Sequence, residues 1–294
     1  MAPALLMEGS QLARETLERV AARAREFEQH AGRKPCLASV LVGDDSASAT
    51  YVRMKADRSG QVGIESRRFE LPAKTSTEEL VSLITGLSAD EAVNGILLQH
   101  PVPDHVDERA GFEAIAPKKD VDGVTMHSFA AMAFGLPGFA SCTPDAIIRL
   151  LDAYGVDARG KRAVVIGRSP ILGKPVGMLL LARDATVTYC HSRTEDLADM
   201  VGSGDIVVAA AGRRELVRGD WLKPGAVVVD AGYNEGNVGD VAFAEAVERA
   251  SLITPVPGGV GPMTIAVLLD QTVAAAWSQE ARSHDMSAPA ISQR

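Results

Sequence analysis

Arg162-Ala163-Val164-Val165-Ile166-Gly167-Arg168-Ser169-Pro170-Ile171-Leu172-Gly173-Lys174-Pro175 is the stretch that decides the fold. Arg162 to Ile166 reads as a short buried strand. A helical pattern starts near Pro175, whose fixed φ suits a first helical turn. Glycines at such a strand-to-helix turn let a phosphate approach the backbone, and the helix N-terminus supplies N–H donors and positive potential. The spacing is neither G-x-G-x-x-G nor a P-loop, because five residues separate Gly167 from Gly173 and Pro175 stands where Ser or Thr would hold magnesium. The segment therefore predicts a dinucleotide turn, with an ordinary tight turn as the plainer alternative.

The next strand, Thr186 to Tyr189, ends in Cys190-His191-Ser192-Arg193-Thr194. In dinucleotide folds this strand end faces the adenosine ribose. A carboxylate there binds a free 2′-hydroxyl, whereas an arginine accommodates a 2′-phosphate. Ser192 and Arg193 fill the position, Arg168 adds a second cation, and no carboxylate comes before Glu195. The pattern favours NADP over NAD. A solvated basic loop is the competing reading.

Outward from this segment, short apolar runs alternate with helical patterns. Further strands are expected at Leu37 to Val42, Val93 to Leu98, Ile206 to Ala210 and Ala226 to Asp230. Helical stripes are formed by Leu12, Thr16, Val20 and Phe27, by Leu80, Leu83, Ile84 and Leu87 after Ser76, and by Ile147, Leu150, Leu151 and Tyr154. This alternation predicts an α/β fold with parallel sheets. It pauses between about Pro101 and Pro144, a loop-rich passage between two units. A long last helix, from Ile265 to about Arg282, could return to the first unit. Ser283 to Arg294 is polar and is expected to be irregular.

The chain has 294 residues, about two domains at roughly 150 each. Its net charge is −8 and it is 46% hydrophobic. That composition supports a globular core and argues against nucleic-acid backbone binding, which needs clustered basic charge. No apolar run reaches the ~18 residues of a membrane span. Met1 to Met7 lacks the basic and apolar segments of a secretory signal. Cys36, Cys142 and Cys190 show no CxxC spacing, so neither a disulfide scaffold nor a thiolate zinc site is expected, in keeping with a reducing cytoplasm. The histidines have no metal-ligand spacing.

Several segments together resemble one family. They are Leu41-Val42-Gly43-Asp44-Asp45, Tyr51-Val52-Arg53-Met54-Lys55, Gly95-Ile96-Leu97-Leu98-Gln99 and Pro117-Lys118-Lys119-Asp120-Val121-Asp122-Gly123 in the first half. In the second half they are Gly167-Arg168-Ser169, His191-Ser192-Arg193-Thr194 and the long run from Thr254 to Thr264. From about Gly9 to Thr272 the chain resembles the bifunctional methylenetetrahydrofolate dehydrogenase/methenyltetrahydrofolate cyclohydrolases. The resemblance implies two α/β domains around a cleft: an N-terminal folate-binding domain (1–122, completed by the C-terminal helix at about 270–294) and a Rossmann-like NADP-binding domain (143–269). It also implies a homodimer, a folate substrate, NADP as cofactor, and no metal, membrane or nucleic-acid partner.

On that resemblance Lys55 is the expected acid or base. Tyr51 lies four residues earlier, on the same face of a helix, to stack on the pterin side or orient Lys55. A lysine desolvated in a cleft can titrate near neutrality; its ordinary fate is a surface cation. Gln99 ends a strand at the carboxyl edge, where open α/β sheets place ligands, and could hold Lys55. Asp122 is expected to accept from the pterin N–H edge, in preference to Asp120. Pro257, Gly258 and Gly259 form a stiff loop for substrate and nicotinamide. Gly167, Arg168, Ser169, Ser192, Arg193 and Tyr233 are the expected NADP contacts, Tyr233 through its backbone.

Departures from the family pattern are His100 before Pro101, Ser46, Asp57, Ser141 and Ala146. They bear on pocket shape and on the balance of the two activities. The rival readings are a divergent dehydrogenase without the hydrolase, and a non-catalytic dinucleotide-binding paralogue. A shikimate-dehydrogenase-like enzyme shares the two-domain plan but expects a Lys-Asp pair not evident here.

Overall fold

A computed structural model describes residues 3–43 and 55–287. The described chain divides into two units, and the three boundaries fall inside its first long helix, a short middle helix (Met126–Phe134) and its last long helix.

One unit comprises residues 1–15 and 128–267. It holds a six-stranded, wholly parallel sheet: β1 (Leu5–Leu6), β5 (Arg162–Ile166), β6 (Thr186–Cys190), β7 (Ile206–Ala209), β8 (Val227–Asp230) and β9 (Leu252–Ile253), in the order β1-β9-β8-β7-β5-β6. The inner strands are nearly continuous Val, Ile and Ala, the composition of strands covered on both faces. The chain passes from β5 outward to β6, then back across β5 to β7. The winding direction therefore reverses between β5 and β7, and the carboxyl ends of those strands form a topological switch point, where such folds take ligands. Helices α6 (Cys142–Ala153) and α7 (Gly173–Leu181) belong to this unit, with the shorter α8 (Leu197–Gly202) and α9 (Phe243–Ala246).

The other unit comprises residues 16–127 and 268–294. Its parallel sheet has the order β3-β2-β4, from β2 (Cys36–Val42), β3 (Glu65–Leu71) and β4 (Gly95–Leu98). β2 is central and buried at all seven positions. β3 reads Glu-Ser-Arg-Arg-Phe-Glu-Leu and is half-exposed along its length. Such a polar edge carries no apolar run, so the sequence pattern passes over it. Around the sheet run most of α1 (Gly9–Ala31), a helix at 55–61 (α2), α3 (Thr77–Ala89) and the end of α10 (Val260–Ser287). Phe27 of α1 meets Trp277 of α10 edge-on, with centroids 5.4 Å apart. Arg23 pairs with Asp270 at 2.7 Å, and Gln271 donates to the Val121 carbonyl at 2.9 Å.

Four expectations change. β1 pairs with β9, so the first strand belongs to the six-stranded sheet and not to the N-terminal domain. Two-residue strands such as β1 and β9 are too short for periodicity to register. The passage from Pro101 to Pro144 contains α4 (Glu108–Glu113), a short 3-10 turn at Pro117–Lys119 and α5 (Met126–Phe134); Pro117 opens the 3-10 turn, and Gly123, Gly135, Pro137 and Gly138 lie in the connections. α10 runs to Ser287, so 283–287 are helical; 288–294 lie outside the described residues. Residues Val260–Ala281 are long and apolar enough to cross a membrane by length and composition, and 61% of that window is buried inside the protein, as in a core helix.

The α3 start follows from its sequence. Ser76 Oγ accepts from the Glu79 N–H, and the Glu79 carboxylate accepts from the Ser76 N–H, a capping box. Leu80, Ile84 and Leu87 then fall on one buried face. Ser76→Ala is expected to lower unfolding free energy by about 1 kcal/mol, read as a lower urea midpoint with an unchanged slope.

Candidate active site

In the three-stranded unit, chemistry gathers at the carboxyl edge of the sheet. The Gln99 N–H donates to the Val40 carbonyl at 2.8 Å, extending the β2–β4 ladder by one residue and fixing the Gln99 backbone. Gln99 Nε2 donates to the His100 carbonyl at 2.8 Å. That bond turns the amide oxygen outward, and Oε1 accepts from Lys55 Nζ at 3.0 Å. Lys55 is half-buried at the start of the described part of α2. Ser59, one helical turn on, is fully buried and donates to the Lys55 carbonyl at 2.8 Å. The lysine and the glutamine that sequence reasoning selected are thus brought together. His100 takes part through its carbonyl. Tyr51 and Ser46 lie outside the described residues. Asp57 is exposed.

The segment from Pro117 to Gly123 separates structural from available groups. Lys119 is 1% exposed, and its Nζ donates to the Leu87 and Asp90 carbonyls at the end of α3. Burial pushes its pKa down. Asp120 is fully buried and accepts from the Val124 and Thr125 N–H groups at 3.0 and 2.9 Å. Asp122 is half-exposed. The carboxylate turned toward backbone donors is therefore Asp120, whereas Asp122, two residues on, keeps part of its surface exposed.

In the six-stranded unit the other candidates follow the carboxyl ends of four parallel strands. Gly167 to Ser169 follow β5. Gly167 has φ +134, and a Cβ there would lie 2.1 Å from the Ala210 carbonyl oxygen. A Cβ on Gly173 would lie 2.4 Å from the Gly167 carbonyl oxygen. The two glycines let the turn fold flat across the switch point and against the first turn of α7, because neighbouring backbone fills the space a side chain would take. Such a tight strand-to-helix turn fits the approach of a pyrophosphate to the helix N-terminus. Tyr189 braces it: its hydroxyl donates to the Lys174 carbonyl at 2.8 Å, across Gly177.

Ser192 and Arg193 follow β6, beside the same turn, since the Gly167 N–H donates to the Cys190 carbonyl at 2.9 Å. They are the central residues of a tight turn. Thr194 N–H donates to the His191 carbonyl, Thr194 Oγ1 accepts from the His191 N–H, and the Arg193 N–H donates to His191 Nδ1. Both side chains are exposed, as is Arg168. Tyr233 follows β8 and is 57% exposed, its hydroxyl bonded to Asn237.

Pro257, Gly258 and Gly259 follow β9. Sequence reasoning missed what holds them. The Gly258 carbonyl accepts from the Gly9 and Ser10 N–H groups at 2.9 and 3.2 Å, and a Cβ on Gly9 would lie 1.9 Å from the Gly259 oxygen. The first turn of α1 is thus the seat of this loop. A glycine at a helix start was the available signal.

Two family models match the chain. The tetrahydrofolate dehydrogenase/cyclohydrolase catalytic domain covers residues 7–122, and the NAD(P)-binding domain of the same description covers 141–280. The bifunctional protein FolD 1 of Streptomyces avermitilis is 68% identical over 276 residues, 94% of this chain and 96% of the relative. That of Salinispora arenicola is 69% identical over 273 residues, 93% and 98%. The crystal structure of the Campylobacter jejuni bifunctional enzyme FolD superposes with a TM-score of 0.91 at 42% identity, covering 94% of this chain and 99% of the other. The Trypanosoma brucei enzyme, complexed with NADP cofactor and inhibitor, gives 0.91 at 37%, covering 96% and 100%.

The Lys55–Gln99 contact sets a test that is independent of any assay. Gln99→Glu would replace a neutral acceptor by an anion at hydrogen-bond distance. An opposite charge favours the ammonium, so the Lys55 pKa is expected to rise by about 1 unit or more. NMR titration of the reductively methylated protein reads it, and an unmoved midpoint contradicts the contact.

Proposed function

The chain belongs to the tetrahydrofolate dehydrogenase/cyclohydrolase family, and from that premise we propose how its residues share two reactions. The first oxidises 5,10-methylenetetrahydrofolate to the methenyl form with NADP. The second adds water to the methenyl cation and opens it to 10-formyltetrahydrofolate. The observation that carries the assignment of residues is the 3.0 Å bond from Lys55 Nζ to Gln99 Oε1.

Hydrolysis needs three proton movements. Water adds to the cationic methenyl carbon and loses a proton. The bond from that carbon to N5 then breaks as N5 gains one, and the hydroxyl on that carbon releases its remaining proton to solvent as it becomes the formyl oxygen. Lys55, as a neutral amine, accepts the first proton and returns the second, ending in the state in which it began. Gln99 supports this because its amide oxygen accepts from either form of the amine and, being neutral, does not pin the charged one. Tyr51 is assigned to the pterin side and to the orientation of Lys55 by its family position. Asp122 supplies the acceptor for the pterin amino and ring N–H groups. Pro257, Gly258 and Gly259 present a rigid backbone face to the substrate.

NADP, when bound, supplies the hydride acceptor. Gly167, Arg168 and Ser169 would hold its pyrophosphate with the first turn of α7, a role that the tight glycine turn fits. Ser192 and Arg193 would take the 2′-phosphate, and the backbone at Tyr233 would line the same edge. Hydride transfer asks these residues for position and for little else.

On this reading the folate module is the N-terminal half to Asp122, less its first strand and completed by the end of α10, and the nucleotide module is 143–269. We also infer a homodimer; β3 pairs with β2 alone among the described strands and leaves its other edge available. A cytoplasmic role in one-carbon supply to purine, methionine and histidine biosynthesis accords with the family.

Lys55→Gln is expected to lower methenyltetrahydrofolate hydrolysis, followed without NADP, by about 100-fold or more. NADP binding should persist. Hydrolysis near the wild-type rate in that variant would refute the role of Lys55. Reduced cofactor formed from methylenetetrahydrofolate with NADP, against NAD, tests the assignment of Arg193.

A further inference from the structure

Two buried aspartates without a part in this scheme bracket the loop that follows β8. Asp230 is the last residue of β8, and Asp240 closes the loop; they are 4% and 0% exposed. Their packing is reciprocal. A Cβ on Gly239 would lie 1.9 Å from Asp230 Oδ2, and a Cβ on Gly232 would lie 2.2 Å from the Asp240 carboxyl carbon. Each carboxylate therefore occupies space that only a glycine leaves open. Asp230 stays within the loop, accepting from the Gly232, Asp240 and Val241 N–H groups at 2.9 Å each. Burial pushes its pKa up to about 6, against the pull of those three bonds.

Asp240 reaches out of the loop. Its Oδ2 accepts from the Ala211 and Gly212 N–H groups at 2.6 and 2.8 Å. Its Oδ1 accepts from the Arg213 N–H at 2.8 Å and from Asn234 Nδ2 at 3.0 Å. Residues 211–213 follow β7, and Asn234 follows β8. One carboxylate thus ties together the loops from two neighbouring strand ends. Ala210, one residue before this clamp, places its carbonyl where a Cβ of Gly167 would be. Hydrogen bonds lead from Asp240 to Ala211, and backbone packing of the Ala210 carbonyl against Gly167 carries the contact on to the turn assigned to the pyrophosphate. Four donors converge on two oxygens, so only an ionised carboxyl satisfies all of them. An amide would turn an NH2 toward at least one N–H.

We propose that Asp240, admitted by Gly232 and braced by Asp230, is a positioning residue for NADP: it fixes the loops after β7 and β8 at the switch point against the Gly167 turn. The inference rests on the NADP reading above. Its test exploits the two activities of one chain, because hydrolysis measured without NADP reports on the fold while the KM for NADP reports on the clamp.

Two variants attack the clamp from opposite sides. Asp240→Asn removes an acceptor. Gly232→Ala leaves Asp240 intact and displaces its carboxylate. Both are expected to raise the KM and the directly measured Kd for NADP by about 10-fold or more, as small misplacements near a reacting centre do. The hydrolysis rate should be unchanged. Asp205→Asn is the control in the same unit, at the amino edge of the sheet, where its carboxylate accepts from the Arg162 N–H; it should leave the NADP affinity alone. Wild-type NADP affinity in either folded clamp variant overturns the proposal, as does a parallel fall in hydrolysis. Failure of the wild-type protein to bind NADP at all would overturn the functional reading, and this inference with it.

Discussion

An amine can carry a proton both ways only if its partner tolerates both of its states. That constraint governs the contact between Lys55 and Gln99. Three polar groups of Gln99 have an assigned direction: its N–H lies in the sheet ladder, its Nε2 on the His100 carbonyl, and its Oε1 on the lysine. The acceptor is therefore preset before any substrate arrives, and reorganisation at the moment of reaction is small. The lysine is anchored at its backbone, where its carbonyl accepts from Ser59 one helical turn on.

Both sheets place their chemistry on the same side of their strands for one reason. In a parallel strand–helix unit the carboxyl end of the strand leads into the turn, and that turn meets the helix N-terminus with its unpaired N–H groups. Four groups of candidate residues follow β5, β6, β8 and β9, and Gln99 follows β4. Close backbone approach at these ends depends on missing Cβ atoms. Gly167 against Ala210 and Gly9 against Gly259 are the tightest cases that bear on the site. A glycine here is a statement about the neighbour that occupies its side-chain space.

The legible part of the fold was the part with periodic hydrophobicity. β2, β4, β5, β7 and β8 are buried or nearly buried runs of four residues or more, β6 is a β-branched edge strand, and the sequence places each within about two residues. β3 escaped because an edge strand alternates polar and half-buried positions, and β1 and β9 because two residues make no period. The site divides differently. The Gly167 turn and the Ser192-Arg193 loop have a physical signature that stands without any relative. Lys55 has none, since a lone lysine is ordinarily a surface cation, and only the family resemblance singled it out. Gly9 and Asp240 escaped both routes. Their roles come from neighbours 250 and 29 residues away in sequence, Gly259 and Ala211, and no local pattern encodes such a pairing.

An acidic chain that handles phosphorylated ligands raises a question of charge. The net charge is −8, which over the whole surface opposes a polyanion. At physiological ionic strength the screening length is about 8 Å, so distant carboxylates count for little and the nearest groups decide. Around the proposed nucleotide edge the exposed cations include Arg168, Lys174 and Arg193, and Glu195 and Asp196 are exposed just beyond Arg193. The two nearby aspartates, Asp230 and Asp240, are buried and faced by seven donors, six of them backbone N–H groups. Each such donor carries a partial positive charge that offsets the carboxylate. Asp230 and Asp240 therefore add little negative field at this edge. The carboxylates that shape it are hidden from the ligand by the same hydrogen bonds that let them shape it.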